Sequence, residues 1–197
     1  MEAGVCLQGD WKMKRLFCLC LCALVLCAAA LAEATTYDFG EFTIDAPAEA
    51  FVQQMEKTEN AAFFAVLPNY DASQLFQDSY SVAWMRADFS ASLFQTDATA
   101  LAQALVDAST GPSSTGVETS NGRLLAAAYG EDGDSFCYYA AMDVDHAGAG
   151  VDLQYTMYCA QAYVDFGDEA GYIFSFKARD AEGLEALVAA ANITPRI

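Results

Sequence analysis

Basic residues are scarce in this chain. Of its 197 residues only 9 are Lys or Arg, against 27 Asp or Glu, and the formal net charge is −18. Nucleic acids and anionic membrane surfaces attract proteins through Lys and Arg, so a chain of this charge repels both. The composition therefore excludes nucleic acid as a partner. A cationic partner or a metal ion is permitted by this charge but not required by it.

Motifs of catalysis and cofactor binding are also missing. The sequence contains no G-x-S-x-G elbow, Walker motif, C-x-x-C pair or H-E-x-x-H helix. A Gly-rich stretch at 148–153 fails as a dinucleotide fingerprint at its third glycine. His146 is the single histidine, and its Gly-rich surroundings predict an exposed turn residue. We therefore assign no catalytic residue and predict no cofactor.

Cysteines are rare after the first thirty-two residues but dense before that point. Lys14 and Arg15 precede the uncharged run from Leu16 to Ala32, which holds Cys18, Cys20, Cys22 and Cys27. Ala30 to Ala32 then match the small-x-small pattern that precedes cleavage. Basic, apolar and cleavable segments in this order predict a secretory signal peptide over residues 1–32, in which cysteine acts as a small apolar residue. Translation starts at Met1 or at Met13.

An uncleaved leader is the alternative, and it is the one route to a membrane that the sequence offers. The 17 uncharged residues would span about 26 Å as a helix, short of the roughly 30 Å hydrocarbon core. Cleavage near Ala32 is therefore the prediction, and the mature protein is expected to be secreted or extracytoplasmic.

Residues 33–197 are long enough for one domain. This part keeps all 10 tyrosines and 12 of the 13 phenylalanines, whereas disordered acidic chains have few aromatic residues. It retains six basic and 25 acidic residues. We predict a single acidic α+β domain over 33–197.

Hydrophobic periodicity predicts the elements of this domain. Alternating runs predict strands near 37–45, 61–67, 80–89, 135–144, 151–166 and 172–177. Helical spacing predicts a mid-chain helix with Thr96 as its N-cap and Asp97 as a first-turn acid, and a C-terminal helix after Asp180. It also predicts shorter helices in 47–60 and 71–78. The dipeptide Asn121-Gly122 predicts a tight hairpin. Short connections favour a single curved antiparallel β-sheet with the mid-chain and C-terminal helices packed on it.

Two segments carry a resemblance to a known family. The early strand "FTIDAP" follows an F-x-I-D-x-P pattern, and the C-terminal part reads "GYIFSFKARDAEGLEALVAAANI". With the order of elements between them, these segments resemble the PsbP-like family. The resemblance implies an exported protein that acts as a binding or assembly factor and not as an enzyme. It places no family site on named residues of this chain.

The two remaining cysteines invite a structural prediction. Cys137 and Cys159 lie 11 residues on either side of Gly148, in the loop between two predicted strands. In a symmetric hairpin they would face each other, and exported proteins fold in an oxidising environment. We predict a Cys137–Cys159 disulfide, with two buried thiols as the alternative.

The same loop offers acidic residues for a metal ion. Asp143, Asp145 and Asp152 are weak calcium candidates in "DVDHAGAGVD". The loop departs from a calcium-binding loop, because Ala147 replaces an oxygen ligand and Gln154 stands where a bidentate acid belongs. Solvated acidic turns are the simpler interpretation.

Two functions remain open on the sequence alone. The first is a secreted, non-enzymatic binding or assembly domain for an unknown protein or small-molecule partner. The second is a small secreted hydrolase that uses Asp and Glu carboxylates, with or without calcium. Tyr138, Tyr155, Tyr158 and Tyr163 lie on adjacent predicted strands. They either fill the core or present an exposed aromatic face that binds a ligand.

Overall fold

The computed structural model describes residues 34–55, 61–85, 97–130, 134–165 and 171–196. In chain order its strands and helices are β1 Ala34–Asp38, β2 Phe42–Pro47, β3 Phe51–Met55, β4 Ala61–Leu67, β5 Ser79–Met85, α1 Ala98–Ala108, β6 Gly111–Pro112, β7 Glu118–Tyr129, β8 Ser135–Asp145, a 3₁₀ turn Ala147–Ala149, β9 Gln154–Asp165, β10 Gly171–Ala178, α2 Ala181–Ala191 and β11 Thr194–Pro195. Neither helix in these ranges is long and apolar enough to cross a membrane.

The strands form two antiparallel sheets. The larger has eight strands in the order β3-β4-β5-β10-β9-β8-β7-β6, and the smaller has three in the order β1-β2-β11. The α+β class with a mid-chain and a C-terminal helix is confirmed. The second sheet was not predicted, because β2 and β11 pair across nearly the whole length of the domain.

One face of the large sheet, here called face A, carries the main core. Alternation along β10 places Tyr172, Phe174 and Phe176 on this face, and all three are buried. The small sheet and α2 cover them, with Phe42 of β2 contacting Tyr172 and Phe174 edge-on at ring-centroid distances of 4.9 and 5.0 Å. Leu184 of α2 belongs to the same cluster.

The opposite face, called face B, is covered by α1 over β7 and β8. Ala102 and Val106 are fully buried against Phe136, Tyr138 and other residues of these strands. The Asp97 carboxylate caps the helix by accepting a hydrogen bond from the backbone N–H of Ala100 at 3.0 Å. Across the sheet from α1, the loop between β4 and β5 borders face B.

Three local predictions were wrong. The helix expected in 47–60 is replaced over Phe51–Met55 by strand β3, since pairing with β4 outweighs the weak helical spacing, and 56–60 lie outside the described residues. Residues 71–78 contain turns and no helix. Asn121-Gly122 forms no hairpin either: the dipeptide sits in a register shift within β7, where a Cβ on Gly122 would lie 2.7 Å from Val106. Helix packing, and not a turn, accounts for this glycine.

The predicted disulfide is also wrong. Asp145 pairs with Gln154, so the hairpin is centred later than Gly148, and Cys137 lies opposite Ala162 while Cys159 lies opposite Ala140. The resulting offset of three residues is odd, so the two side chains point to opposite faces of the sheet. Both cysteines are buried, Cys137 in the core of face A and Cys159 in the core under α1.

This placement predicts two separate thiols in the chain 33–197. After unfolding without a reductant, the protein should take up two iodoacetamide groups by mass spectrometry. The Cys159→Ser variant should take up one. Alkylation of the parent chain only after reduction would contradict the register.

Candidate binding cleft

The four tyrosines do not form one exposed aromatic face. Tyr138 is only 3% exposed beneath α1, and its hydroxyl donates to Gln161 Oε1 at 2.9 Å. The Tyr163 hydroxyl donates to the same oxygen at 3.0 Å. Tyr158 packs against the core of face A. Tyr155 alone lines an open space, at the end of β9.

That space is a shallow, open cleft on face B. It has a volume of about 400 Å³, within the range of small-molecule sites. Its floor is formed by Val144, Tyr155, Met157 and Lys177 of β8, β9 and β10. The loop 68–78 forms one wall, and the remaining lining residues are Leu67, Gln74, Leu75, Phe76, Gln77, Ser79, Val117 and Thr119.

Hydrogen bonds within the loop 68–78 hold this wall of the cleft in place. Asp71 accepts from the backbone N–H and the hydroxyl of Ser73 at 2.9 and 2.7 Å, and these bonds lower the pKa of Asp71. Gln77 exchanges two hydrogen bonds with the backbone of Asp71, at 2.9 and 2.7 Å. Phe76 then packs on Tyr155, with the ring centroids 4.8 Å apart.

A close contact between two glycines places Val117 at the cleft. A Cβ on Gly116 would lie 2.5 Å from the carbonyl oxygen of Gly148, and a Cβ on Gly148 would lie 2.5 Å from that of Gly116. Only glycine therefore fits at either position. No local sequence pattern indicates this contact, because it joins residues 32 positions apart.

Two cations lie at the cleft, and one of them contacts its aromatic rings. Arg179 donates to the carbonyl oxygen of Phe76 at 3.0 Å, and its guanidinium carbon is 5.5 and 5.6 Å from the ring centroids of Phe76 and Tyr155. This arrangement is a cation–π contact. Lys177 is exposed and lines the cleft directly.

These two cations differ from the other two that the structure describes. Arg123 pairs with Asp143 at 3.4 Å, and Arg196 pairs with Asp38 at 2.8 Å. Lys177 and Arg179 form no ion pair with any carboxylate in the described part of the chain. Among the described cations, the two that form no ion pair therefore both lie at the cleft.

His146 belongs to the surroundings of Tyr155. Its Nε2 lies 3.3 Å from the Tyr155 hydroxyl oxygen, and the residue is half-buried. Burial raises the pKa of Tyr155, with a smaller opposing effect from Arg179, so the phenol is neutral near pH 7. The prediction that His146 is an exposed turn residue missed this contact, which depends on the position of β9.

Apolar surface continues outward from the cleft. Leu75 at its rim is 59% exposed, and Phe51 and Tyr70 are 47% and 50% exposed with their rings stacked at 4.8 Å. Phe51 lies opposite Leu67, which lines the cleft. Exposed apolar residues that adjoin a concave site are typical of ligand binding.

The three calcium candidates do not converge. Asp143 accepts hydrogen bonds from Asn121, Thr156 and Arg123 at 3.0, 3.0 and 3.4 Å. Asp145 accepts from the backbone N–H of Ala147 and from Gln154, at 2.7 and 2.8 Å. Asp152 is exposed on the loop. No group of three potential metal ligands occurs within the described ranges. The first two carboxylates instead brace the hairpin.

The bonds at Asp143 predict an acid-sensitive contribution to stability. They lower its pKa below the usual 3.8, with Asn121 the largest cause and Thr156 next. The contribution is therefore present at neutral pH and is lost as the pH falls through the lowered pKa. The Asp143→Asn variant should lose less stability between about pH 7 and pH 3 than the parent in urea unfolding.

The matched control is Asp152→Asn, which makes the same charge change on the exposed loop. It should keep the acid dependence of the parent. An equal response from both variants would show that the hydrogen bonds at Asp143 contribute nothing specific.

Comparison with known protein families and with curated protein sequences finds no match for this chain. The resemblance to the PsbP-like family therefore stays a prediction.

Proposed function

We propose that this protein is an exported, non-enzymatic binding domain whose ligand occupies the cleft on face B. The observation that carries the proposal is the composition of the lining. Leu75, Phe76, Val144, Tyr155 and Met157 supply apolar surface around the exposed ammonium of Lys177. A mostly apolar concave surface with few polar groups is typical of small-molecule sites.

The alternative hydrolase receives less support. Hydrolysis through acid pairs needs two carboxylates on either side of the scissile bond. Among the described residues that line the cleft, none is Asp or Glu. Asp143 and Asp145, which lie two residues apart on β8, are each engaged in hydrogen bonds of the hairpin. A binding role accounts for this arrangement better.

Export rests on the sequence of the leader. The basic, apolar and cleavable segments of residues 1–32 support secretion, and the acidic surface of residues 33–197 suits a protein that stays soluble. An exported binding domain also agrees with what the PsbP-like resemblance implies.

The first experiment measures binding of a neutral probe, N-phenyl-1-naphthylamine, whose fluorescence rises in apolar surroundings. The parent chain should bind the probe saturably. Leu75→Asp should weaken binding about tenfold, because it replaces apolar contact at the rim worth roughly 1.5 kcal/mol with a charge. Leu75 is 59% exposed, so the fold should tolerate the change.

Met55→Asp is the matched control, since Met55 is 60% exposed and does not line the cleft. It should leave the affinity of the probe unchanged. Absence of saturable binding to the parent, or equal weakening in both variants, would refute the cleft as the binding site.

The second experiment tests export. N-terminal sequencing of the protein recovered outside the producing cells should give a chain that begins at Glu33. An extracellular chain that begins at Met1 or Met13, or protein confined to the cytosol with its leader intact, would contradict the proposal.

A further inference from the structure

The polar and charged groups of the cleft limit the class of ligand that it can bind. Building on the proposed function, we infer that the cleft binds a small organic anion with an apolar body, and that Lys177 recognises the anionic group. The inference depends on which polar groups of the lining remain available, on the charges nearby and on the size of the cleft.

Most polar side chains of the lining are already engaged. The Thr119 hydroxyl donates to the carbonyl oxygen of Ser109 at 2.7 Å, and Gln77 is bonded to the backbone of Asp71. The Gln74 amide donates to the Asp71 carboxylate at 3.2 Å. These groups hold the loops in place and are not free to select a ligand.

Lys177 and Ser79 are different. They are direct partners across β10 and β5, so both side chains lie on face B within the cleft. In the described part of the chain, neither side chain has a hydrogen-bond or ion-pair partner. An ammonium group offers three donors and no acceptor, and a hydroxyl can donate a fourth. The available polar groups on this part of the floor therefore match an acceptor with negative charge.

The apolar part of the ligand has a defined place. Met157 of β9 and Val144 of β8 continue the floor away from Lys177, and Leu67 and Leu75 close the sides. Phe76 and Tyr155 add aromatic surface, with Arg179 above both rings as a second positive charge. An amphiphilic anion would thus place its charged end at Lys177 and its body along these side chains.

The net charge of the whole protein disfavours the binding of an anion. With a net charge of −18, the chain attracts cations and repels anions at long range. Selection of an anion must therefore come from short-range contacts within the cleft, where the described lining has no carboxylate. Long-range repulsion is screened by salt more strongly than a direct contact. Affinity for an anionic ligand should consequently hold or rise with added salt.

The experiment uses three ligands with one alkyl chain and different ends: decanoate, decanol and decylamine, each below micelle-forming concentrations. Each competes with bound N-phenyl-1-naphthylamine on the chain 33–197. Decanoate should bind about fivefold more tightly than decanol, the value expected for one exposed ion pair. Decylamine should bind more weakly than decanol.

The variant Lys177→Met keeps much of the apolar stem and removes the charge. It should weaken decanoate about fivefold and leave decanol and the probe unchanged. Arg196→Gln is the matched control, because it also removes one positive charge, at a residue paired with Asp38 away from the cleft. It should alter neither decanoate nor decanol binding.

The outcomes separate the inference from the proposed function. If the probe and decanol bind in the cleft but decanoate gains nothing, or loses nothing on Lys177→Met, the cleft is a binding site and the anion inference is wrong. If decylamine binds most tightly, the net charge dominates and the inference is also wrong. If neither the probe nor any of the three ligands binds, the proposed function itself fails.

Discussion

The packing of the small sheet onto face A is the constraint on which the rest of the structure depends. Phe42 is fully buried between Tyr172 and Phe174, and removal of a buried phenylalanine typically costs 3–5 kcal/mol. Hydrogen bonds align the two sheets, with the Tyr80 hydroxyl donating to the Asp45 carbonyl oxygen at 2.5 Å. The Asn192 amide after α2 donates to the Asp45 carboxylate at 2.7 Å. One residue of β2 thus anchors both the large sheet and the C-terminal helix.

The elements that cover face A are not available to cover face B. The small sheet and α2 cover the first face, and α1 covers the second only over β7 and β8. The loop 68–78 borders the floor of β8, β9 and β10 without filling the space. An antiparallel sheet can leave part of one face open to solvent, so the cleft lies on a part of face B that α1 does not cover.

The local charge of the cleft contrasts with the charge of the molecule. Arg123 and Arg196 form ion pairs with carboxylates, whereas the side chains of Lys177 and Arg179 form no ion pair in the described part of the chain. In water, charges farther apart than about a Debye length interact weakly, so a binding site responds mainly to its nearest groups. A strongly acidic protein can therefore contain a site that prefers an anionic ligand. Composition alone permitted cationic partners without requiring them and gave no sign of a site for an anion.

Predictions from the sequence succeeded where neighbouring residues decide the outcome. Asp180 accepts from the Gly183 N–H and begins α2, and Asn192 ends it in the left-handed conformation, as capping preferences predict. Strand predictions also held for runs such as Ser135–Asp145, whose alternation is strong. The helix predicted over Phe51–Met55 is absent, because pairing with β4 outweighs local preference. The hairpin predicted at Asn121-Gly122 is absent, because this segment packs under α1. The cysteine pair failed because an odd shift of three residues moves a side chain to the other face.

By itself, the sequence determined the charge, the α+β class and the caps of the C-terminal helix. These properties depend on composition or on residues within a few positions of one another, so a local pattern is sufficient to predict them. Only the tertiary structure decided the register of β8 and β9, the separation of the cysteines, the second sheet and the cleft. Each of these depends on pairing between segments far apart in the chain, and a local pattern carries no information about which distant segment will be its neighbour.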